Sequence, residues 1–151
     1  MKKLFKTFAV LSAVVLGSQF AQAQAWTGKG DQKVQVGFNG WGYGTGITAS
    51  YDYGLGKIVS IGAGANFFFD HSDDKYADDD FGVFGRVNFH LQEPLGLPAN
   101  WDIYPGVDLG LLGKSNTYFG AHLGVRYYFN NNVGIYGEFG NNGSLGVSFN
   151  F

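Results

Sequence analysis

The feature that most constrains this chain is a two-residue alternation of apolar with small or polar side chains. It recurs in eight segments and occupies the last eight residues. There Leu145, Val147, Phe149 and Phe151 alternate with Ser144, Gly146, Ser148 and Asn150. Successive side chains leave a strand on opposite faces, so each segment reads as a strand with one apolar and one small, polar face. An apolar strand left unpaired at a sheet edge is an aggregation hazard. Closing the last strand onto the first removes the edge. The alternation therefore predicts an all-β protein, an eight-stranded antiparallel up-and-down barrel.

The predicted strands cover about 33–39, 45–53, 57–69, 81–92, 101–112, 117–129, 133–140 and 144–151. Gly-rich or Asn-rich turns separate most of them, as at Gly54-Leu-Gly56 and Asn130-Asn-Asn132. Residues Gln24–Gln32 read as a polar lead-in. Pro105 cannot donate to a ladder, which predicts a bulge there or a fifth strand that begins at Gly106. Residues 70–80 form the one long loop, and it is acidic.

Residues 1–23 have the layout of a secretory signal peptide. Lys2, Lys3 and Lys6 precede an apolar run from Phe8 to Leu16, and Ala21-Gln22-Ala23 matches an A-x-A cleavage site. That apolar run is too short to cross a bilayer as a helix. The chain then divides into a leader, 1–23, and a barrel domain, 24–151. Removal of the three lysines takes the formal net charge from −2 to about −5. A chain of that charge with no basic patch is not expected to bind nucleic acid. The absence of cysteine excludes disulfides, thiol nucleophiles and Cys-ligated metals.

Alternation alone does not say which face is outside. A lipocalin-like barrel turns its apolar face inward, an outer-membrane barrel turns it onto lipid. Three features favour the second. The apolar face carries no Asp, Glu, Lys or Arg. The other face is rich in glycine, which suits a narrow lumen that must admit Arg86, Arg126 and Tyr128. Aromatic residues gather at the strand ends: Tyr51, Tyr53, Trp101, Tyr127, Phe129, Phe149 and Phe151 toward one rim, Phe38, Phe67, Phe69, Phe81 and Phe119 toward the other.

Ser144, Gly146, Phe149 and Phe151 resemble the C-terminal assembly signal of bacterial outer-membrane barrels. In architecture the segment 24–151 is similar to the small eight-stranded outer-membrane proteins of the OmpX/OmpA-barrel type. Its glycine and aromatic content also resembles small outer-membrane barrels of Bacteroidetes-type bacteria. The resemblance implies location in the bacterial outer membrane, contact with its lipids and recognition of the last strand by barrel-assembly machinery. It implies a monomer and no cofactor. The expected role is structural or surface-interacting, with a lumen filled by side chains; the alternative is a small transport barrel for ions or an apolar solute. The outward loops are short except 70–80, unlike the long loops of adhesive members.

Several side-chain groups are of residue types that can carry chemistry. His71, Ser72 and Asp73 are consecutive and cannot converge as a triad. The His-x-Ser pair of outer-membrane lipid A deacylases is absent, so no enzyme activity is expected. Asp70, Asp73, Asp74, Asp78, Asp79 and Asp80 crowd one loop without the EF-hand spacing, which reads as a solvated acidic loop with no metal site. Phe68, Phe84, Leu112 and Tyr118 point inward near one rim and are read as a plug rather than a pocket. Arg86, Asp108, His122, Arg126 and Glu138 fall on the inward face, where charges must be paired. Their heights predict an Arg86–Asp108 pair, with His122 the next partner for Asp108.

Overall fold

A computed structural model describes residues 23–71, 80–114 and 116–151. Almost all of the leader, most of the acidic loop and the side chain of His71 lie outside them. Eight strands follow in order: β1 (Gln32–Trp41), β2 (Gly44–Gly54), β3 (Val59–His71), β4 (Phe81–Phe89), β5 (Trp101–Leu112), β6 (Asn116–Tyr128), β7 (Val133–Gly140) and β8 (Gly143–Asn150). Each pairs antiparallel with the next, and β8 pairs with β1 to close the barrel. Along that seam Lys33 stands opposite Asn150, Val36 opposite Val147 and Asn39 opposite Ser144. The residues of the last strand take up its two faces. Ser144 is buried, Gly146 lies opposite Gly37, Phe149 faces outward opposite Val34, and the exposed Phe151 donates its N–H to Gln32 O.

The barrel is inverted relative to a soluble protein. The fully enclosed side chains are mostly polar: Lys33, Gln35, Asp52, Asn88, His90, Asp102 and Arg126, with Tyr104 and Tyr128 among them. The exposed ones are apolar, 69% for Phe38 on β1 and Phe119 on β6 and 77% for the last residue, Phe151. Trp101 meets Tyr127 at 4.9 Å and Tyr127 meets Phe129 at 5.4 Å at one end; Trp41 meets Phe139 at 5.6 Å at the other.

Glycine makes this lumen possible. Most large inward side chains stand opposite a glycine on a neighbouring strand: Tyr104 opposite Gly124, Phe84 opposite Gly64 and Gly110, Arg86 opposite Gly62, Tyr128 opposite Gly134 and Tyr136 opposite Gly146. A Cβ on Gly124 would lie 2.1 Å from Tyr104 Cζ, closer than carbon atoms can approach. Arg126 is different. It faces Asp102 and Tyr136, so its space is set by a charged partner and not by a missing side chain.

Two local expectations are corrected. The segment before β1 is no loose polar lead-in. Ala25 and Trp26 are enclosed in the barrel mouth, Ala25 N donates to Ala99 O at 2.7 Å, and Trp26 Nε1 donates to Lys57 O at 2.6 Å. Asp31 is also buried, paired with Lys33 at 2.6 Å. Pro105 neither bulges nor starts a strand. It stands in register opposite Leu123 in an unbroken β5–β6 ladder, while the β4–β5 ladder stops one residue away, at Asn88–Gly106. Ile103 O accepts from Leu91 N, so the odd residues of β5 turn their polar groups to β4. The missing proline N–H falls where that ladder ends.

Candidate functional site

The lumen holds one connected polar network. Its centre is Arg86 on β4. Arg86 Nε donates to Asp52 Oδ1 at 2.7 Å and Nη1 to Glu138 Oε1 at 2.8 Å, while Nη2 reaches Gln35, Ser50 and Asp52. Asp52 on β2 also accepts from Arg126 Nη2 at 2.8 Å. Arg126 is fully enclosed, with its guanidinium carbon 3.9 Å from the centre of the Tyr104 ring. Tyr104 in turn donates to Glu138 Oε1 at 2.9 Å and accepts from Gln35 Nε2 at 3.1 Å. Hydrogen bonds to ionised groups in a water-poor interior are among the stronger ones, provided that few groups are left over.

All five interior charges singled out in the sequence face this lumen, but not with the expected partners. Arg86 and Asp108 stand directly opposite each other in the β4–β5 register. Yet Arg86 turns to Asp52 and Glu138, and Asp108 Oδ2 bonds His122 Nδ1 at 2.8 Å. The Arg86–Asp108 pair is therefore replaced by Asp108–His122. Asp52, Asp102 and His90 share the inward parity of these residues, and it is the Asp52 carboxylate that joins the two guanidiniums.

A second line of bonds runs along β3 to β6. His122 Nε2 meets Asn88 Oδ1 at 2.9 Å, and Asn88 Nδ2 donates to Ser60 Oγ at 3.3 Å. Ser60 Oγ meets His90 Nε2 at 2.8 Å, and His90 Nδ1 meets Asp102 Oδ2 at 2.6 Å. Asp102 Oδ2 is 3.5 Å from Arg126 Nη1, which ties this line to the guanidinium centre. Gly106 leaves the room for it: a Cβ there would lie 2.4 Å from Asn88 Oδ1 and 2.6 Å from His122 Nε2.

Ser60, His90 and Asp102 stand in the order of a serine-hydrolase triad. Their surroundings differ from one. All three are wholly enclosed, and the Trp26 indole lies flat on the His90 ring, centroids 3.5 Å apart and planes 5° apart. The three form a continuous line of hydrogen bonds enclosed beneath the indole. Burial under Trp26 holds the His90 imidazole below its ordinary pKa. Residues 60, 90 and 102 are far apart in sequence, and only their shared inward parity could have pointed to them.

At the opposite end, Asn39, Asn66, Asp108, Tyr118, Glu138 and Ser144 border a cavity of about 30 Å³. That is room for about one water molecule. Phe68 and Leu112 are also buried among the described residues. Among the described residues no three His, Asp or Glu side chains gather as metal ligands.

A family model covers residues 16–143, most of the chain, under the description family of unknown function, DUF6646. The chain belongs to DUF6646. No curated protein matches this DUF6646 chain. The family description carries no activity, so function rests on the inverted barrel and its filled lumen.

Proposed function

We propose that this DUF6646 protein is an integral outer-membrane β-barrel with a structural or surface-interacting role. The supporting observation is the inversion itself: a closed barrel with an apolar outside and an ion-paired inside. In water, an outer surface of Phe38, Phe67, Leu109, Leu111, Phe119, Leu123 and Leu145 would cost about 25 cal/mol per Å² of exposed apolar area. In lipid that cost vanishes, and the charged lumen is then the required arrangement. Strands of 8–13 residues suit an oblique crossing of a bilayer by strands of roughly 9–11 residues. On this reading residues 1–23 are a leader cleaved after export, and the last strand, with Ser144, Gly146, Phe149 and Phe151, is read by barrel-assembly machinery. The partners are then outer-membrane lipids and that machinery, and the protein works as a monomer without cofactor or catalysis.

Transport of ions or an apolar solute is the second reading. The buried Arg86, Arg126 and Tyr104 inside the lumen speak against it. Two measurements test the proposal. The folded protein should fractionate with the outer membrane and run differently on gels before and after boiling. Refolded into planar bilayers, it should show no steady conductance. A soluble periplasmic fraction would refute the membrane reading, and discrete conductance steps would favour transport.

A further inference from the structure

The line Asp108–His122–Asn88–Ser60–His90–Asp102 has five links and ends in a carboxylate at each side. Each link needs one hydrogen. An ionised carboxylate only accepts, so both end links must receive their hydrogen from the Nδ1 of a histidine. Polarity must then reverse inside the line. Asn88 presents an acceptor to one neighbour and a donor to the other. If its oxygen faces His122, the Nε2 of that ring must donate as well, and His122 carries both ring protons. If its nitrogen faces His122, its oxygen takes the Ser60 hydroxyl, and His90 Nε2 must donate to Ser60. Then His90 carries both. Either way every link is filled only when the line holds one proton beyond two neutral imidazoles and two carboxylates. That proton belongs on an imidazole, the more basic group.

We propose that this array is a proton-binding site that holds one proton, shared by His122 and His90 and located by the orientation of Asn88. To pass between the two arrangements, His122 Nε2 loses a proton and His90 Nε2 gains one. Asn88 turns over with both its amide hydrogens, and the Ser60 hydroxyl reverses. No other bond changes. The surrounding charge favours the arrangement with His122 charged. His122 on β6 faces Asp108 and the ring of Tyr104 on β5, Asn88 on β4, and the charge of Glu138 on β7. His90 faces Ser60 on β3, Asp102 and Tyr104 on β5 and Trp26 before β1, with the cation of Arg126 on β6 and the carboxylate of Asp52 on β2 near it. Apart from the Lys33–Asp31 pair, the described network sets Asp52, Asp102, Asp108 and Glu138 against Arg86 and Arg126 alone. A bound proton halves that excess of negative charge. The ends also differ in access. The Asp108 side chain is 18% exposed and borders the small cavity, whereas Asp102 and His90 are sealed beneath Trp26. The proton on His122 enters and leaves by the Asp108 end.

The test counts doubly protonated rings by ¹⁵N spectra of histidine-labelled protein refolded in detergent micelles, in a His71→Gln background that removes the third ring. At pH 7.5 a free imidazole is about nine-tenths neutral. The expected count is one charged ring in the parent and two in Asn88→Asp, whose carboxylate accepts from both sides. Asn88→Leu and Ser60→Ala, which cut the line, should each show none. Two neutral rings in the parent would overturn the proposal, as would an Asn88→Asp count equal to the parent's. If Asn88→Asp does not refold, Ser60→Ala decides: a charged ring that survives the cut refutes the shared proton.

Discussion

Trp26 lies face to face with His90 and seals one end of the lumen, ring centroids 3.5 Å apart. This contact joins the segment before the first strand to the end of the fourth. It also places an aromatic lid over the Ser60–His90–Asp102 relay. Trp26→Ala removes the stack, the bond to Lys57 O and the indole face beside Lys33 Nζ. A destabilisation of about 3–5 kcal/mol is expected, as for other buried Trp→Ala changes. Urea unfolding of the micelle-folded protein measures it, and faster proteolysis near residue 27 should accompany it.

The same lid makes stability depend on pH. His90 has a folded pKa below its unfolded value near 6.5, because burial disfavours its charged form. The folded state therefore binds this proton less readily than the unfolded state. His90 contributes stability that is fully present above about pH 6.5 and is lost as pH falls through the lower folded value. The unfolding midpoint should drop between pH 7.5 and 5, and the drop should be smaller in His90→Gln. An equal drop in both proteins would assign the acid sensitivity to the carboxylates.

Asp52 is the carboxylate that the two guanidiniums share. Asp52→Asn leaves Arg86 only Glu138 and Arg126 only Asp102 as carboxylate partners and should cost about 3–5 kcal/mol, the range for breaking a buried ion pair from one side. Arg86→Gln alone should be similarly costly, and the double mutant should cost much less than the sum. By contrast, Arg86→Gln and Asp108→Asn should add, because Asp108 is bonded to His122. Additivity in the first cycle and coupling in the second would reverse the assignment of partners.

Glycine positions predict a graded pattern. Gly124→Ala drives a methyl group into the Tyr104 ring and should destabilise by at least the 1–3 kcal/mol typical of overpacking. Gly40→Ala, where nothing lies within 4 Å, should change stability by only about half a kcal/mol. Denaturation midpoints of the two variants give the comparison directly.

Leu123 and Gly124 test the membrane reading. Leu123 points outward in mid-strand, and Gly124 points at Tyr104. If the outside meets lipid, Leu123→Arg should cost about 2–4 kcal/mol in bilayers. A fluorophore on a cysteine at 123 should be quenched by a lipid-soluble quencher. Quenching at 124 but not at 123 would invert the faces.

The strand count, the order of pairing and the inward parity of Arg86, Asp108, His122, Arg126 and Glu138 were legible in the sequence. They depend on a local period of two. The partners were not legible, because they depend on how far each strand is staggered against the next. Arg86 and Asp108 share a level, but a long guanidinium can cross the lumen to β2 and β7 and find better acceptors there. The buried lead-in was hidden for another reason. Residues 24–31 have no alternation, and the one sign of burial was a tryptophan in a polar stretch. At Pro105 the rule that proline interrupts a ladder was sound, but it acted on only one of the two ladders that β5 makes.

The β1–β8 seam has a kinetic consequence. Lys33 Nζ donates to Asn150 Oδ1 at 3.3 Å across a sequence separation of 117, and the residues around both are ladder partners. Every other pairing joins neighbours in sequence, so hairpins can form early and locally, while the seam must wait until the two ends of the sheet meet. Closing so long a loop is entropically unfavourable and slow. Opening it again exposes two strand edges at once. Such a molecule is slow to complete and slow to come apart, and its lifetime in the cell is set by the rate at which that single seam unzips.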